Sequence, residues 1–396
     1  MSNAASRYAE LEAQAKALFA ESKRHFAAGV PAEAIAACER AAALLPQWGR
    51  VHLELGNVLA HHHDFWLNPD LHRRLVANGQ MDAAMASWQR CIDTGWTSDW
   101  LHLNYGHALT LRGDTVAAAR HLRRGIELKT RFDRPDYVQQ HWADGAVKGP
   151  DFIMIGATKC GTTSLYEYLA QHPQVLQILW KEPEYFRFPQ FGVEWYLSHF
   201  PRVPNFGPRF VTGEASTCYM SIWDAKTRVR EQFPDVKLIA LVRDPVDKTI
   251  SHFHHDRKIG CEARSYEEAL TRELDILEAL PRPFHDADEY WKTEKGYVWL
   301  SLYVYFLENW LTAFPKDRLL VIPSEDLYAQ PAEVTSRVFE FLDLPEHRSG
   351  KYEVFLKGEY EKKQNDPIRE RLVRFFAPHN QRLEAMLGRK LDWQRP

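Results

Sequence analysis

Residues 151–165, DFIMIGATKCGTTSL, constrain this chain more than any other stretch. Phe152, Ile153, Met154 and Ile155 form an apolar run of the length of a buried parallel strand, and Leu165, Tyr168 and Leu169 begin a helical spacing after Thr162. A strand, a loop bounded by Gly156 and Gly161, and a helix N-terminus together make an anion cradle. Backbone N–H groups and the positive end of the helix dipole face whatever sits in the loop. The expected ligand is a phosphate or a group of that shape. A nucleoside-triphosphate loop reads G-x-x-x-x-G-K-[ST]. Gly156 and Gly161 keep that spacing, but Thr162 stands where the lysine belongs and Lys159 has moved inside the loop. One displaced cation among hydroxyls suits a smaller, less charged group than a triphosphate.

Three further strands should deliver side chains to the same sheet edge. Gln174–Leu179 runs into Trp180-Lys181-Glu182-Pro183, and Pro183 holds Glu182 extended where the strand stops. Arg209–Thr212 leads likewise to Glu214. Lys237–Val242 delivers Arg243-Asp244-Pro245, with Asp244 suited to an N-cap and Pro245 to the first helical position. The helix that follows, to about Arg257, carries Ser251. The Arg243 guanidinium fork and the Ser251 hydroxyl can converge on one phosphate.

Lys159-Cys-Gly-Thr-Thr-Ser164, combined with a strand, Arg243-Asp-Pro and Ser251 eight positions on, resembles the donor-binding elements of sulfotransferases that use 3′-phosphoadenosine 5′-phosphosulfate (PAPS). The resemblance covers about residues 150–394. It implies a P-loop-type three-layer α/β domain with a parallel sheet. It also implies PAPS as donor, 3′-phosphoadenosine 5′-phosphate (PAP) as product, and no required metal. By the same resemblance, Lys159, Cys160, Gly161, Thr162, Thr163 and Ser164 surround the 5′-phosphate, and Arg243 and Ser251 hold the 3′-phosphate. Lys159 would stabilise the leaving phosphate. Glu182 matches the catalytic glutamate of the heparan-sulfate-type branch and is the expected general base. Glu214 is the reserve, and His252, His254 and His255 are further candidates because another branch uses a histidine. Leu356-Lys357-Gly358 looks like the family's closing segment, so Lys357, Gly358, Lys362 and Lys363 are expected over the nucleotide.

The chain also departs from the pattern. Many heparan-type members carry Lys where Ala215 stands, and some carry His and Asp where Glu184 and Arg187 stand. These departures weigh against a heparan-like acceptor and leave glycan, peptide and small-metabolite hydroxyls or amines open. The rival readings are a P-loop kinase or triphosphatase, which the missing lysine opposes, and a repeat-domain scaffold with an inactive nucleotide site. The stretch Gly260–Lys295 reads as irregular and is expected to cover the acceptor.

The front of the chain is different. Residues 5–130 are alanine-rich and lack strand alternation. Gly79 and Gly113 open similar helical patterns 34 positions apart, the period of a tetratricopeptide repeat, and Gly29 opens a third after a longer gap filled by 61–78. An all-α tetratricopeptide-like domain over 5–130, a linker over 131–150 and the sulfotransferase-like domain over 151–396 are the expected divisions. Such a solenoid offers a surface for a peptide or protein partner, or for self-association. His61-His62-His63-Asp64 reads as a solvated helix end, since adjacent histidines on a helix point apart.

A net charge of −3 over 396 residues gives no basic field for nucleic acid. No apolar run of membrane-spanning length and no signal-peptide pattern is present. Five scattered cysteines, an odd number, point to a reducing cytoplasm.

Overall fold

The computed structural model describes residues 2–67, 69–280, 295–348, 350–353 and 366–393. Two compact units divide the chain: residues 1–143 with 190–201, and residues 144–189 with 202–396.

The first unit is helical: α1 (Ser2–Ala27), α2 (Pro31–Leu44), α3 (Gly49–Leu59), α4 (Asp64–Leu67), α5 (Pro69–Ala77), α6 (Gln80–Asp93), α7 (Asp99–Leu111), α8 (Thr115–Asp133) and α9 (Pro135–His141). It is built from pairs, α1 with α2, α3 with α6, and α7 with α8. Gly29, Gly79 and Gly113 each turn the chain into the second helix of a pair with φ near +80°, a conformation glycine adopts without strain. The long gap has a simple cause: α4 and α5 are inserted between the partners of the middle pair. Close approach explains two further glycines. A Cβ on Gly56 would stand 2.5 Å from the Trp88 ring, and one on Gly106 would stand 2.9 Å from Leu122.

The histidine run differs from expectation. His61 and His62 adopt left-handed φ of 52° and 55°, which turns His63 inward, and His63 is buried rather than solvated. Its Nδ1 lies 2.7 Å from Asn104 Oδ1 on α7. The chain returns to this unit at α11 (Val193–Leu197), where the indole of buried Trp195 donates to Thr110 Oγ1 at 2.7 Å.

The second unit holds β1 (Gly145–Ala146), β2 (Phe152–Gly156), α10 (Thr162–Ala170), β3 (Val175–Gln177), β4 (Val203–Pro204), β5 (Val211–Glu214), α12 (Ala225–Gln232), β6 (Lys237–Val242) and α13 (Pro245–Lys258). These are followed by α14 (Tyr266–Ala279), α15 (Tyr303–Leu311), β7 (Leu319–Pro323), α16 (Ser324–Ala329), α17 (Pro331–Phe341) and α18 (Pro367–Leu387). β1 and β4 form a small antiparallel pair. The main sheet runs β3-β5-β2-β6-β7, all parallel. Phe152 to Ile155 and Leu238 to Val242 are fully buried. Helices on both faces exclude water from a parallel sheet, which is why these strands are apolar throughout rather than alternating. From central β2 the chain crosses to one side of the sheet, and from β5 it crosses to the other. The carboxyl end of β2 is therefore the topological switch point, the place where open α/β sheets bind ligands.

The stretch 260–295 is not irregular throughout: α14 occupies 266–279, opened by a capping box in which Ser265 Oγ accepts from the Glu268 N–H and the Glu268 carboxylate accepts from the Ser265 N–H, while 281–294 lie outside the described residues.

Gly213 pairs with Phe152 between β5 and β2, and a Cβ there would lie 2.4 Å from the Phe152 carbonyl oxygen. Gly213→Ala is expected to force the central strands apart at a cost of about 1–3 kcal/mol. Melting measurements should show a loss of about 3–10 °C; a wild-type melting temperature would mean that the strands tolerate the methyl group.

Candidate active site

The loop after β2 is shaped by positive φ at Gly156 (152°), Lys159 (65°) and Gly161 (85°). At Gly156 a Cβ would come within 2.9 Å of the Thr217 carbonyl oxygen, and at Gly161 within 2.6 Å of Tyr328 Oη. Both glycines therefore answer to space as well as backbone conformation. The loop is fastened to its neighbours: the Ala157 N–H donates to Leu241 O at 2.8 Å, and the Thr158 and Thr217 hydroxyls lie 3.0 Å apart. Ser324 Oγ, at the start of α16, stands 2.7 Å from the Cys160 carbonyl oxygen and 3.0 Å from that of Val242. The first turn of α10, Thr162 to Ser164, opens directly from this loop.

Arg243 leaves the end of β6, and its Nη1 donates to the Lys159 carbonyl oxygen at 3.4 Å. That bond joins the loop to the second expected anion grip. Asp244 caps α13 by accepting from the Val246 N–H at 2.9 Å, as its sequence position suggests. Ser251 lies two turns along α13 and is buried. Burial, and next the Arg243 guanidinium, push the Lys159 ammonium below the ordinary lysine range, with Asp256 opposing. A cation in such a place is poorly compensated by its surroundings and gains from a bound anion.

The carboxylate side begins where β3 ends. Lys181 O accepts from the Ala215 N–H at 2.9 Å, which ties this segment to the end of β5. The Lys181 ammonium sits 2.5 Å from Glu182 Oε1 and donates to Thr163 Oγ1 at 3.0 Å. Glu182 is thus linked through one side chain to the first turn of α10. Beside it, Glu184 adopts φ +52°, its carboxylate accepts from Arg187 Nη1 at 3.0 Å, and its N–H donates to Ser216 Oγ at 3.0 Å. Burial raises the Glu184 carboxyl above its usual range, with Arg187 opposing.

The other expected residues fall in different places. Cys160 has its thiol turned inward, 3.6 Å from the Tyr303 hydroxyl, and burial pushes it up to about 11. Its N–H donates to Ala157 O at 3.2 Å, inside the loop. Glu214, the reserve base, is fully buried and hydrogen-bonded to the Ser216 hydroxyl. His252 lies between Lys248 and Asp256, held well below the ordinary histidine range by burial first and Lys248 next. His254 stacks on Tyr266, and His255 is half-buried with Lys159 and Lys258 nearby. Lys357, Gly358, Lys362 and Lys363 lie outside the described residues.

Three residues of this site carry no catalytic or binding role in the sequence reading, which places Lys181 only as a salt-bridge partner open to Glu182. Tyr328 on α16 has its hydroxyl over Gly161, bonded to Ser164 and near Arg243. Ser324 ties the loop to β6. Lys181 bridges the loop helix and Glu182. All three follow strand ends at the carboxyl edge of the sheet, and that position is the signal that could have found them.

The glycine-walled loop and the guanidinium bonded to its backbone offer N–H donors and positive charge to an anionic group.

At 26% identity, the chain is similar to the membrane-associated sulfotransferase kil1 of Dictyostelium discoideum, over 62% of this chain and 66% of that protein. It is 27% identical to heparan sulfate glucosamine 3-O-sulfotransferase 6 of Mus musculus, over 63% of this chain and 75% of that protein. It is 30% identical to the human bifunctional heparan sulfate N-deacetylase/N-sulfotransferase 3, over 50% of this chain but 23% of that protein. The first and third matches thus span less than two thirds of those relatives. A solved sulfotransferase from Alicyclobacillus acidocaldarius aligns over 62% of this chain and 98% of its own, with 25% identity and a TM-score of 0.47. The family model described as a sulfotransferase domain matches residues 149–370. By that match, which covers more than half of its length, the chain belongs to the sulfotransferase family.

Proposed function

We propose that the chain transfers a sulfuryl group from PAPS to a hydroxyl or amine, with Glu182 as general base. The observation that carries the reading is the Lys181 bridge: it holds a proton acceptor against the first turn of the anion loop, where Arg243 also reaches Lys159. PAPS supplies the activated sulfuryl group. The residues supply position and charge. The α10 N–H groups and the hydroxyls of Thr162, Thr163 and Ser164 receive the 5′-phosphate, and Arg243 and Ser251 receive the 3′-phosphate. Lys159 offsets negative charge on the leaving oxygen, and Glu182 Oε takes the acceptor's proton. The backbone of Cys160 shapes the loop without its thiol taking part.

The acceptor class follows the departures from the heparan-type pattern: Ala215, Glu184 and Arg187 favour a small metabolite or a neutral glycan hydroxyl over a polyanion. We assign the helical unit to a peptide or protein partner or to self-association, and the whole chain to the cytoplasm. The five cysteines, all unpaired thiols, support that placement.

Calorimetry with PAP tests the donor site. Binding without magnesium is expected, and Arg243→Ala should weaken it by about 10- to 100-fold, as loss of a charged hydrogen bond implies. Unchanged affinity would remove the Arg243 assignment. Magnesium-dependent ATP hydrolysis would instead favour the kinase or triphosphatase reading.

A further inference from the structure

Lys181 and Glu182 are neighbours in the chain, and side chains at adjacent extended positions point to opposite faces. Their pairing is therefore imposed by the local backbone. The chain bends over residues 179–181 rather than running on as a strand, and the Lys181 and Glu182 side chains meet. The ammonium does not simply neutralise its neighbour, because it also donates to Thr163 Oγ1 in the first turn of α10. The Lys181 side chain is 19% exposed and that of Glu182 is 31% exposed, so the pair lies at the rim of the fold, accessible to substrate.

A half-buried ion pair between neighbours in the chain adds only modestly to stability. Its consequence lies elsewhere. A carboxylate on a flexible side chain samples several rotamers, and a proton acceptor must be held within hydrogen-bond reach of the proton it removes. We propose that Lys181 is a positioning residue of the transfer reaction, whose ammonium holds the Glu182 carboxylate against the Thr163 turn of the anion loop. The inference rests on the reading of Glu182 as general base and deepens it.

The acceptor oxygen forms a bond to sulfur, and the S–O bond to the 5′-phosphate breaks with its electron pair passing to the phosphate oxygen. The acceptor's proton goes to Glu182. Protonation neutralises the carboxylate and leaves the Lys181 ammonium without its counter-ion. At that moment the ammonium is still held 3.0 Å from a hydroxyl of the turn that receives the newly charged phosphate. Lys181 so couples the proton acceptor to the leaving-group side through charge as well as position.

The test uses the full-length protein and needs no identified acceptor. PAPS hydrolysis, with water as the acceptor oxygen, is followed as PAP release, alongside PAP affinity by calorimetry and the melting temperature. Lys181→Met should lower the rate by about tenfold or more while PAP affinity stays within about threefold and melting is unchanged. Lys181→Arg, which keeps a cation within reach of both Glu182 and Thr163, should restore most of the rate. A Lys181→Met protein as fast as wild type, or a Lys181→Arg protein as slow as Lys181→Met, overturns the inference alone. A loss that appears equally in PAP affinity also overturns it, since Lys181 would then be a donor ligand. A Glu182→Gln protein that releases PAP at the wild-type rate sinks the general-base reading, and this inference falls with it.

Discussion

Glu182→Gln is expected to lower turnover by about 10²- to 10⁴-fold while PAP affinity stays within about threefold. Glutamine keeps the length and most of the polar contacts of glutamate, including an oxygen for the Lys181 ammonium. It cannot accept a proton. The proposed donor grips, on the loop after β2 and at Arg243 and Ser251, are untouched by the change. A loss confined to turnover therefore reports proton removal rather than binding. Rivals for the role are limited by their surroundings. Glu214 is fully buried and bonded to Ser216, and His252 is enclosed between Lys248 and Asp256. His255, half-buried near Lys159, is the remaining group with access to the loop. Initial rates of PAP release with matched calorimetry decide the matter. If the glutamine variant turns over at the wild-type rate, the base is not Glu182, and His255→Gln becomes the variant to measure.

The legible parts of this molecule were those whose cause is local. β6 follows an uninterrupted apolar run, Asp244 caps the helix that its Asp-Pro spacing announces, and Gly156 and Gly161 bound the loop because only glycine fits their space. What could not be read depends on partners distant in the chain. Thr110 and Trp195 are 85 residues apart, yet their hydrogen bond helps bind residues 190–201 to the helical unit. His63 sits in a polar run that reads as solvated, and two left-handed residues before it reverse that outcome. α14 was a local miss: Ser265-x-x-Glu268 is a capping box in plain view, outweighed in the reading by the prolines and aromatics around it. At the site, the roles of single residues rest on side-chain pairings such as Lys181 with Thr163, which no spacing rule announces.

Acidification is expected to loosen the helical unit, and the cause is a chain of three buried histidines. His107 Nδ1 lies 3.3 Å from His63 Nε2, and His107 Nε2 lies 3.4 Å from His199 Nε2. The two ends are fixed by acceptors. The Trp88 indole can only donate, and it donates to Asn57 Oδ1, as does the Asn104 amide. Asn104 therefore presents its oxygen to His63 Nδ1, which must carry a hydrogen. At the other end His199 Nδ1 faces the carbonyl oxygens of Trp195 and Tyr196 at 3.1 and 3.3 Å, and must carry one too. The two ring–ring contacts need one hydrogen each, so four hydrogens are called for where three neutral imidazoles hold three. One added proton would complete the chain, but burial opposes it. Burial first, with Asn104 opposing, pushes His63 down to about 4, and burial against the Trp195 and Tyr196 carbonyls pushes His199 down to about 4. His107 is held well below the ordinary range by burial and then by its two neighbours. Below the ordinary histidine range, near 6.5, the unfolded chain binds protons that the folded one refuses, so stability is complete above that pH and falls as pH drops toward 4. One histidine with this shift removes about 2–3 kcal/mol between pH 7.5 and 4.5. Trp66, Trp88 and Trp195 surround or adjoin the chain, so denaturant titrations followed by tryptophan fluorescence at several pH values report on it directly. Replacing the central ring, His107→Phe, should flatten the dependence by about one proton's slope, roughly 1.4 kcal/mol per pH unit at its steepest. An identical pH slope in wild type and variant would mean that His107 titrates in the folded protein as it does in the unfolded chain.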